Sequence, residues 1–317
     1  MCTALALRHL FGRTLDLELS YREQVAVVPR RFPLPFRMAP SLSEHYAMVG
    51  MAHISQGFPL FYDAVNEAGL AMAALNFPHS AVYQPPREGM DNLAPFELIV
   101  RVLGQCATVD QAGQLLEQVN VIKLDFSPDL PSTPLHWLIA DRERSLVVEP
   151  VAEGLRLYEN PVGVLTNEPP FAFQLSHLTD FLSLSAAPPV YSFSPRLSLP
   201  PYSRGMGALG LPGDWSSRSR FVRAAFAAHN STRPTDITQF FHLMSCVEVP
   251  RGCVRLEDGQ EVTSIYTSCC DLVRGIYHYV TYSNRQICAV DLHGENLNAT
   301  GLTTFPLPAE QHLYLQN

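Results

Sequence analysis

Six strand-length apolar runs follow one another before any helical period appears, at residues 3–7, 10–16, 24–29, 46–54, 59–66 and 69–76. Several are apolar at nearly every position instead of alternating, the pattern of strands covered on both faces. A chain that opens this way needs layers for both sides of a sheet. Helical periods follow at 95–104 and 108–119, the second with Asp110 and Glu117 on its polar side. Leu135 to Ala140 and Leu146 to Val148 flank the charged turn Asp141-Arg142-Glu143-Arg144 as a hairpin. Further helices are predicted at 171–184, 217–229 and 235–246, and closing strands at 262–270, 275–282 and 286–292. Between them residues 186–216, rich in Pro, Ser and Gly, read as a long ordered loop of the kind that carries function. Neither half alternates strand and helix as a doubly wound sheet requires. The order therefore predicts an α+β fold, two sheets sandwiched between helical layers, in a single domain spanning residues 1–317.

Charge narrows the partners. The 22 Lys and Arg are scattered and the formal net charge is -8, so there is no basic surface for a phosphate backbone and nucleic acid is excluded. The chain begins Met-Cys-Thr-Ala-Leu-Ala-Leu-Arg, with no basic segment ahead of an apolar run, and nowhere holds about 18 consecutive apolar residues. That predicts a cytoplasmic protein with no membrane partner. Seven cysteines without a Cys-x-x-Cys pair disfavour a disulfide framework and a zinc site, and the 11 histidines include no His-Glu-x-x-His. With no Gly-x-Gly-x-x-Gly after a strand and no phosphate-binding loop, neither a metal nor a nucleotide cofactor is expected.

Six of the cysteines read as small buried hydrophobes. Cys2 differs by its position. Removal of Met1 leaves one residue with both a thiol and an α-amine, and an α-amine, with its reference pKa of about 8, is a usable base at neutral pH. The segment Leu10-Phe11-Gly12-Arg13-Thr14-Leu15-Asp16 then returns from the first strand with a cation and a carboxylate three residues apart. A guanidinium beside a thiol stabilises the thiolate, and a carboxylate can orient an α-ammonium. In an ideal strand positions 13 and 16 face opposite ways, so one of them is expected at a strand end or a bulge. Alone, the same pair also describes a surface ion pair on a hairpin.

Eight motifs lift the reading above that ambiguity. They are Met-Cys-Thr-x-Leu, Phe-Gly-Arg-x-Leu-Asp, Gly69 to Pro78, Val164 to Pro169, Gly210 to Asp214, Ser219-Arg220-Phe221, Val247 to Gly252 and Tyr266 to Asp271. In order and approximate spacing they resemble the choloylglycine hydrolases, over essentially the whole chain. The resemblance implies a four-layer αββα sandwich of the N-terminal-nucleophile hydrolase type. It implies a mature enzyme that begins at Cys2 and cleaves the amide joining a steroid acid to glycine or taurine, so that a conjugated bile acid is the small-molecule partner. It also implies roles: Cys2 as nucleophile, Arg13 and Asp16 flanking it, Asn76 and Asn167 stabilising the oxyanion, and Arg220 completing the site. A homo-oligomer, a tetramer, is implied in the same way.

Those roles agree with the chemistry. Attack on an amide carbonyl creates a tetrahedral oxyanion, and preorganised donors aimed at it are worth about 3–4 kcal/mol each. Arg220 falls near the start of a helix opened by Ser216-Ser217, where a cation opposes the helix dipole; such broken local rules tend to fall at functional sites, and an ordinary salt bridge to a distant carboxylate would explain the position equally well. The first hairpin departs from the family, with only Arg8-His9-Leu10 between the Leu-Ala-Leu strand and Phe-Gly-Arg. Met51, Phe58, Leu60 and Phe61 are candidates to grip the apolar steroid. Arg204, in the glycine-bearing loop Ser203-Arg204-Gly205-Met206-Gly207, is the candidate to meet the anionic end of the conjugate. Two alternatives stand beside this reading. Penicillin V acylase chemistry is disfavoured by Asn76, where those acylases typically carry tyrosine, and a non-catalytic lipid-binding relative by the presence of all six site residues.

Overall fold

The computed structural model describes residues 1–232 and 235–317. Strands β1 (Cys2–Leu7) and β2 (Leu10–Leu17) pair antiparallel across a two-residue turn, with Leu7 opposite Leu10 and Arg8 in the left-handed region at φ 58°. Next, β3 (Gln24–Val28), β4 (Met48–Ser55), β5 (Phe58–Asn66) and β6 (Ala71–Asn76) form an antiparallel meander. The short β7 (Asp91–Leu93) precedes helices α1 (Leu98–Gln105) and α2 (Val109–Leu116) and pairs in parallel with β8 (Val119–Val121). Strands β9 (Leu135–Ala140), β10 (Ser145–Val151) and β11 (Gly154–Glu159) extend the meander from its β6 edge. The chain then crosses through β12 (Val164–Leu165), which pairs with β1, into α3 (Phe171–His177), α4 (Ser217–Asn230) and α5 (Ile237–Ser245). It closes with β13 (Thr263–Asp271), β14 (Ile276–Thr281), β15 (Cys288–Asp291) and β16 (Thr303–Pro306).

Two sheets result, of six strands in the order β12-β1-β2-β13-β14-β15 and of eight in the order β11-β10-β9-β6-β5-β4-β3-β16. Helices α1 and α2 cover the outer face of the larger sheet, and α4 and α5 the outer face of the smaller. The layers are therefore α, β, β and α. Burial on both faces accounts for the unbroken apolar runs. In β6, Ala71, Ala73 and Leu75 face the opposing sheet, while Met72 and Ala74 join the core beneath α1 and α2.

The sequence expectations differ from this in their edges. Residues 178–181 leave the α geometry for a 3₁₀ turn, so the helix expected over 171–184 is short. The strand expected from residue 69 begins at Ala71 because Gly69, at φ 89°, turns the chain. β11, β12 and β16 had no periodic signal: β11 is largely half-exposed without alternation, and β12 is two residues long. No helix among the described residues is long and apolar enough to cross a membrane.

Candidate active site

The first strand starts at the residue that carries the chemistry. Cys2 lies opposite Leu15 and Ala4 opposite Arg13, so these four side chains share the face turned to the larger sheet. Thr3, Thr14 and Asp16 share the other face, beneath α4. Gly12 permits this packing, since a β-carbon there would stand 2.0 Å from the Ser268 carbonyl oxygen of β13. Arg13 and Asp16 do face opposite ways. Asp16 is one residue from the end of β2, and the irregularity falls on its partner, between Ser264 and Tyr266.

Arg13 directs Nη2 at Cys2 Sγ, 2.5 Å away. Its other donors go to main-chain carbonyls, of Thr14 from Nε at 3.1 Å and of Tyr62 and Ala74 from Nη1. Among the described residues no carboxylate is hydrogen-bonded to it, so its charge is left for the sulfur. On the other face Asp16 accepts from Ser264 Oγ at 2.5 Å and from Thr14 Oγ1 at 3.0 Å. Arg220 turns away from the start of α4 and donates to the Cys2 carbonyl, to Thr3 Oγ1 at 2.6 Å and to Asn167 Oδ1 at 2.8 Å, with Nε on the Trp215 carbonyl. Ser216 caps the helix by accepting from Ser219 N, so the side chain of Arg220 is free to leave the helix axis.

The two asparagines divide the work. Asn167 Oδ1 accepts the Cys2 amide at 2.8 Å, and its Nδ2 donates to the Asn76 carbonyl at 2.8 Å. Asn76, by contrast, lines the cavity beside Cys2. The Met1 amine donates to the Asp16 carbonyl at 2.5 Å. The supports around Asn167 have little signature in the sequence. The Asn167 amide donates to Ser217 Oγ, which in turn donates to Thr166 Oγ1, and Gln174 Nε2 reaches both hydroxyls. A serine three residues before Arg220 at a helix start was the one available signal.

A cavity of about 390 Å³ opens over Cys2 and Arg13, with Leu15, Leu60, Phe61, Phe96, Phe126 and Leu135 among its apolar walls and Glu18 and Asp129 among its charged groups. Of the residues expected to grip an apolar ligand, Leu60 and Phe61 line it. Met51 does not, because it points into the core between the sheets. Nor does Phe58, which packs behind the wall against Phe96 and Phe126 at ring centroid distances of 6.1 Å. Arg204 is exposed on the 186–216 loop, outside the cavity. Among the described residues no group of three or more His, Cys, Asp or Glu is arranged to hold a metal ion.

Two sheets between helical layers, with a cysteine opening the first strand, define the N-terminal-nucleophile class of hydrolase. The chain belongs to the choloylglycine hydrolase family of linear amide C–N hydrolases, whose profile matches residues 2–305. It is 46% identical over 324 residues to a bile salt hydrolase/transferase of Lactiplantibacillus plantarum, across 100% of both chains. Its identity to the bile salt hydrolase/transferase of Clostridium perfringens is 36% over 322 residues, 96% of each chain. A crystal structure of a conjugated bile acid hydrolase from Clostridium perfringens matches at a TM-score of 0.94 and 34% identity, over 100% of both chains. Penicillin V acylase from Agrobacterium tumefaciens, at a TM-score of 0.76 and 21% identity over 99% of this chain and 94% of its own, shares the fold.

Proposed function

We propose that this enzyme hydrolyses the amide of glycine- and taurine-conjugated bile acids through a thioester on Cys2. The observation that carries the reading is the Arg13 guanidinium set against Cys2 Sγ at the base of an apolar-walled cavity. Removal of Met1 frees the Cys2 α-amine, which takes the thiol proton. The sulfur attacks the carbonyl carbon, and the Asn76 side-chain amide donates to the oxyanion that forms. Asn167 holds the Cys2 nitrogen and keeps the base beside its own nucleophile. Collapse expels glycine or taurine as the free amine, with the proton returned by the α-ammonium, and water then cleaves the thioester. Arg220 fixes the main chain of Cys2 from the opposite face, where Asp16 is itself held by Ser264 and Thr14.

The apolar wall suits the steroid body, whose burial supplies binding free energy at about 25 cal/mol per Å². All seven cysteines are free, which fits a reducing cytoplasm. The exposed Leu182, Val190, Phe193, Leu199, Tyr202 and Leu209 support self-association, as a tetramer in this reading. The test is amine release from glycine- and taurine-conjugated bile acids and from penicillin V, measured side by side. The bile acid conjugates should turn over fastest; preference for penicillin V, or no amine release from any of them, would overturn the assignment.

A further inference from the structure

Behind the two asparagines lies a pair of titratable side chains that the chemistry above does not use. His136 of β9 and Glu149 of β10 are both fully buried, with Nδ1 3.3 Å from Oε1. His136 Nε2 is 2.7 Å from the Thr166 carbonyl, one residue before Asn167. The imidazole also stacks on Phe77, one residue after Asn76, at 4.3 Å between centroids and 6° between planes. Glu149 Oε1 accepts the Phe171 amide at 2.8 Å, the first residue of α3, and Oε2 meets no donor among the described residues. One imidazole thus touches the main chain beside Asn167 and the ring beside Asn76.

A carbonyl oxygen only accepts, so His136 Nε2 donates to Thr166. Nδ1 faces the same Glu149 oxygen that accepts the Phe171 amide. Around the pair Thr166, Phe77, Phe171 and Gln174 are neutral, and on β11 Arg156 stands opposite Glu149 in the strand pairing.

We propose that His136 and Glu149 are positioning residues, a buried pair that holds the segments bearing Asn76 and Asn167 in their relation to Cys2. The proposal rests on the catalytic reading of those asparagines. It acts through the Thr166 carbonyl and the Phe77 ring, and neither side chain meets the substrate.

The test uses the full-length mature enzyme. His136→Phe keeps a ring on Phe77 and removes the donor to Thr166, and should lower kcat about 10-fold or more with KM within about 2-fold. The rate of Cys2 alkylation by iodoacetamide against pH supplies a readout that needs no substrate. Because Asn167 holds the Cys2 nitrogen, His136→Phe should displace that profile. If His136→Phe fails to fold, Glu149→Leu takes its place with the same expectations. Folded variants with wild-type kcat and an unmoved alkylation profile would overturn the positioning role. Absence of conjugate hydrolysis in the wild type, with the alkylation profile still displaced in the variant, would overturn the functional reading and leave this inference standing.

Discussion

Two arginines reach Cys2 from opposite faces of one strand, and burial treats them differently. Arg13 is 1% exposed and Arg220 0%. Burial works against the charge of Arg13, but Cys2, Tyr266, Asp63 and Asp16 together more than offset it, so its pKa is raised. For Arg220 burial prevails over Asp16 and Cys2, and its pKa is lowered, although a guanidinium remains protonated in either setting. Arg13 therefore sits among groups that gain from its charge, with the nucleophile foremost. Arg220 is engaged mainly by neutral acceptors, the carbonyls of Cys2 and Trp215, a hydroxyl and an amide oxygen. One arginine serves the sulfur electrostatically; the other clamps the main chain that carries it.

The largest expected effect falls on the atom both arginines serve. Cys2→Ser should leave the fold intact and reduce turnover to a few per cent or less, because a hydroxyl is a far weaker nucleophile at neutral pH. Retention of substantial activity in a serine variant would remove the nucleophile from this account. Mass spectrometry of the active form should also show Met1 absent, and full activity with Met1 retained would eliminate the α-amine as base.

Substituting the arginines separates their roles. Arg13→Lys should cost about 100-fold in kcat and move Cys2 alkylation to higher pH, since the ammonium cannot reproduce the planar contact with Sγ while satisfying three carbonyls. Asn167→Ala comes next, at about 100-fold or less in kcat with a smaller change in KM, because it loosens the Cys2 nitrogen and leaves an Arg220 donor unpaired. Arg220→Lys should lower stability by about 2–3 kcal/mol through unsatisfied buried acceptors, with a milder loss of kcat and an alkylation profile in place. A displaced alkylation profile in Arg220→Lys, or an undisplaced one in Arg13→Lys, would erase the distinction between charge and clamp.

The same contrast shows what the sequence could tell. Cys2, Arg13 and Asp16 were legible because strand pairing converts a short spacing into proximity, and a two-residue turn at Arg8-His9 leaves few registers open. The layered architecture was legible because burial on both faces removes alternation from the strands of the larger sheet. The positions of Asn76 and Asn167 came through resemblance alone, and Arg220 had beside it only its misplacement at a helix start. No local spacing brings residue 167 to residue 2, since their meeting depends on β12 pairing with β1, and a two-residue strand has no period to read. Side-chain direction was the other blind spot. Met51 and Phe58 are as apolar as Leu60 and Phe61, but only the folded register, with its irregularity between Met51 and Ala52, decides which of them face the cavity.

The smallest expected effect concerns Arg204. A conjugate that ends in an anion would gain from a cation at the cavity mouth, and Arg204 sits in a loop whose glycines let the chain turn. The folded chain keeps it exposed, away from the residues that line the cavity, and the charged side chains that do line it include Glu18 and Asp129 as well as Arg13. An anionic substrate approaching Glu18 and Asp129 meets repulsion that salt screens, with a Debye length of about 10 Å at 0.1 M. Raising ionic strength should therefore lower KM for both conjugates by about 2-fold, without a comparable change in kcat. Arg204→Ala should show the same KM, the same taurine-to-glycine ratio and the same salt response as the wild type. A raised KM with a flattened salt response in Arg204→Ala would instead place that side chain on the substrate anion, brought there by a movement of the 186–216 loop or by the same loop of a second copy.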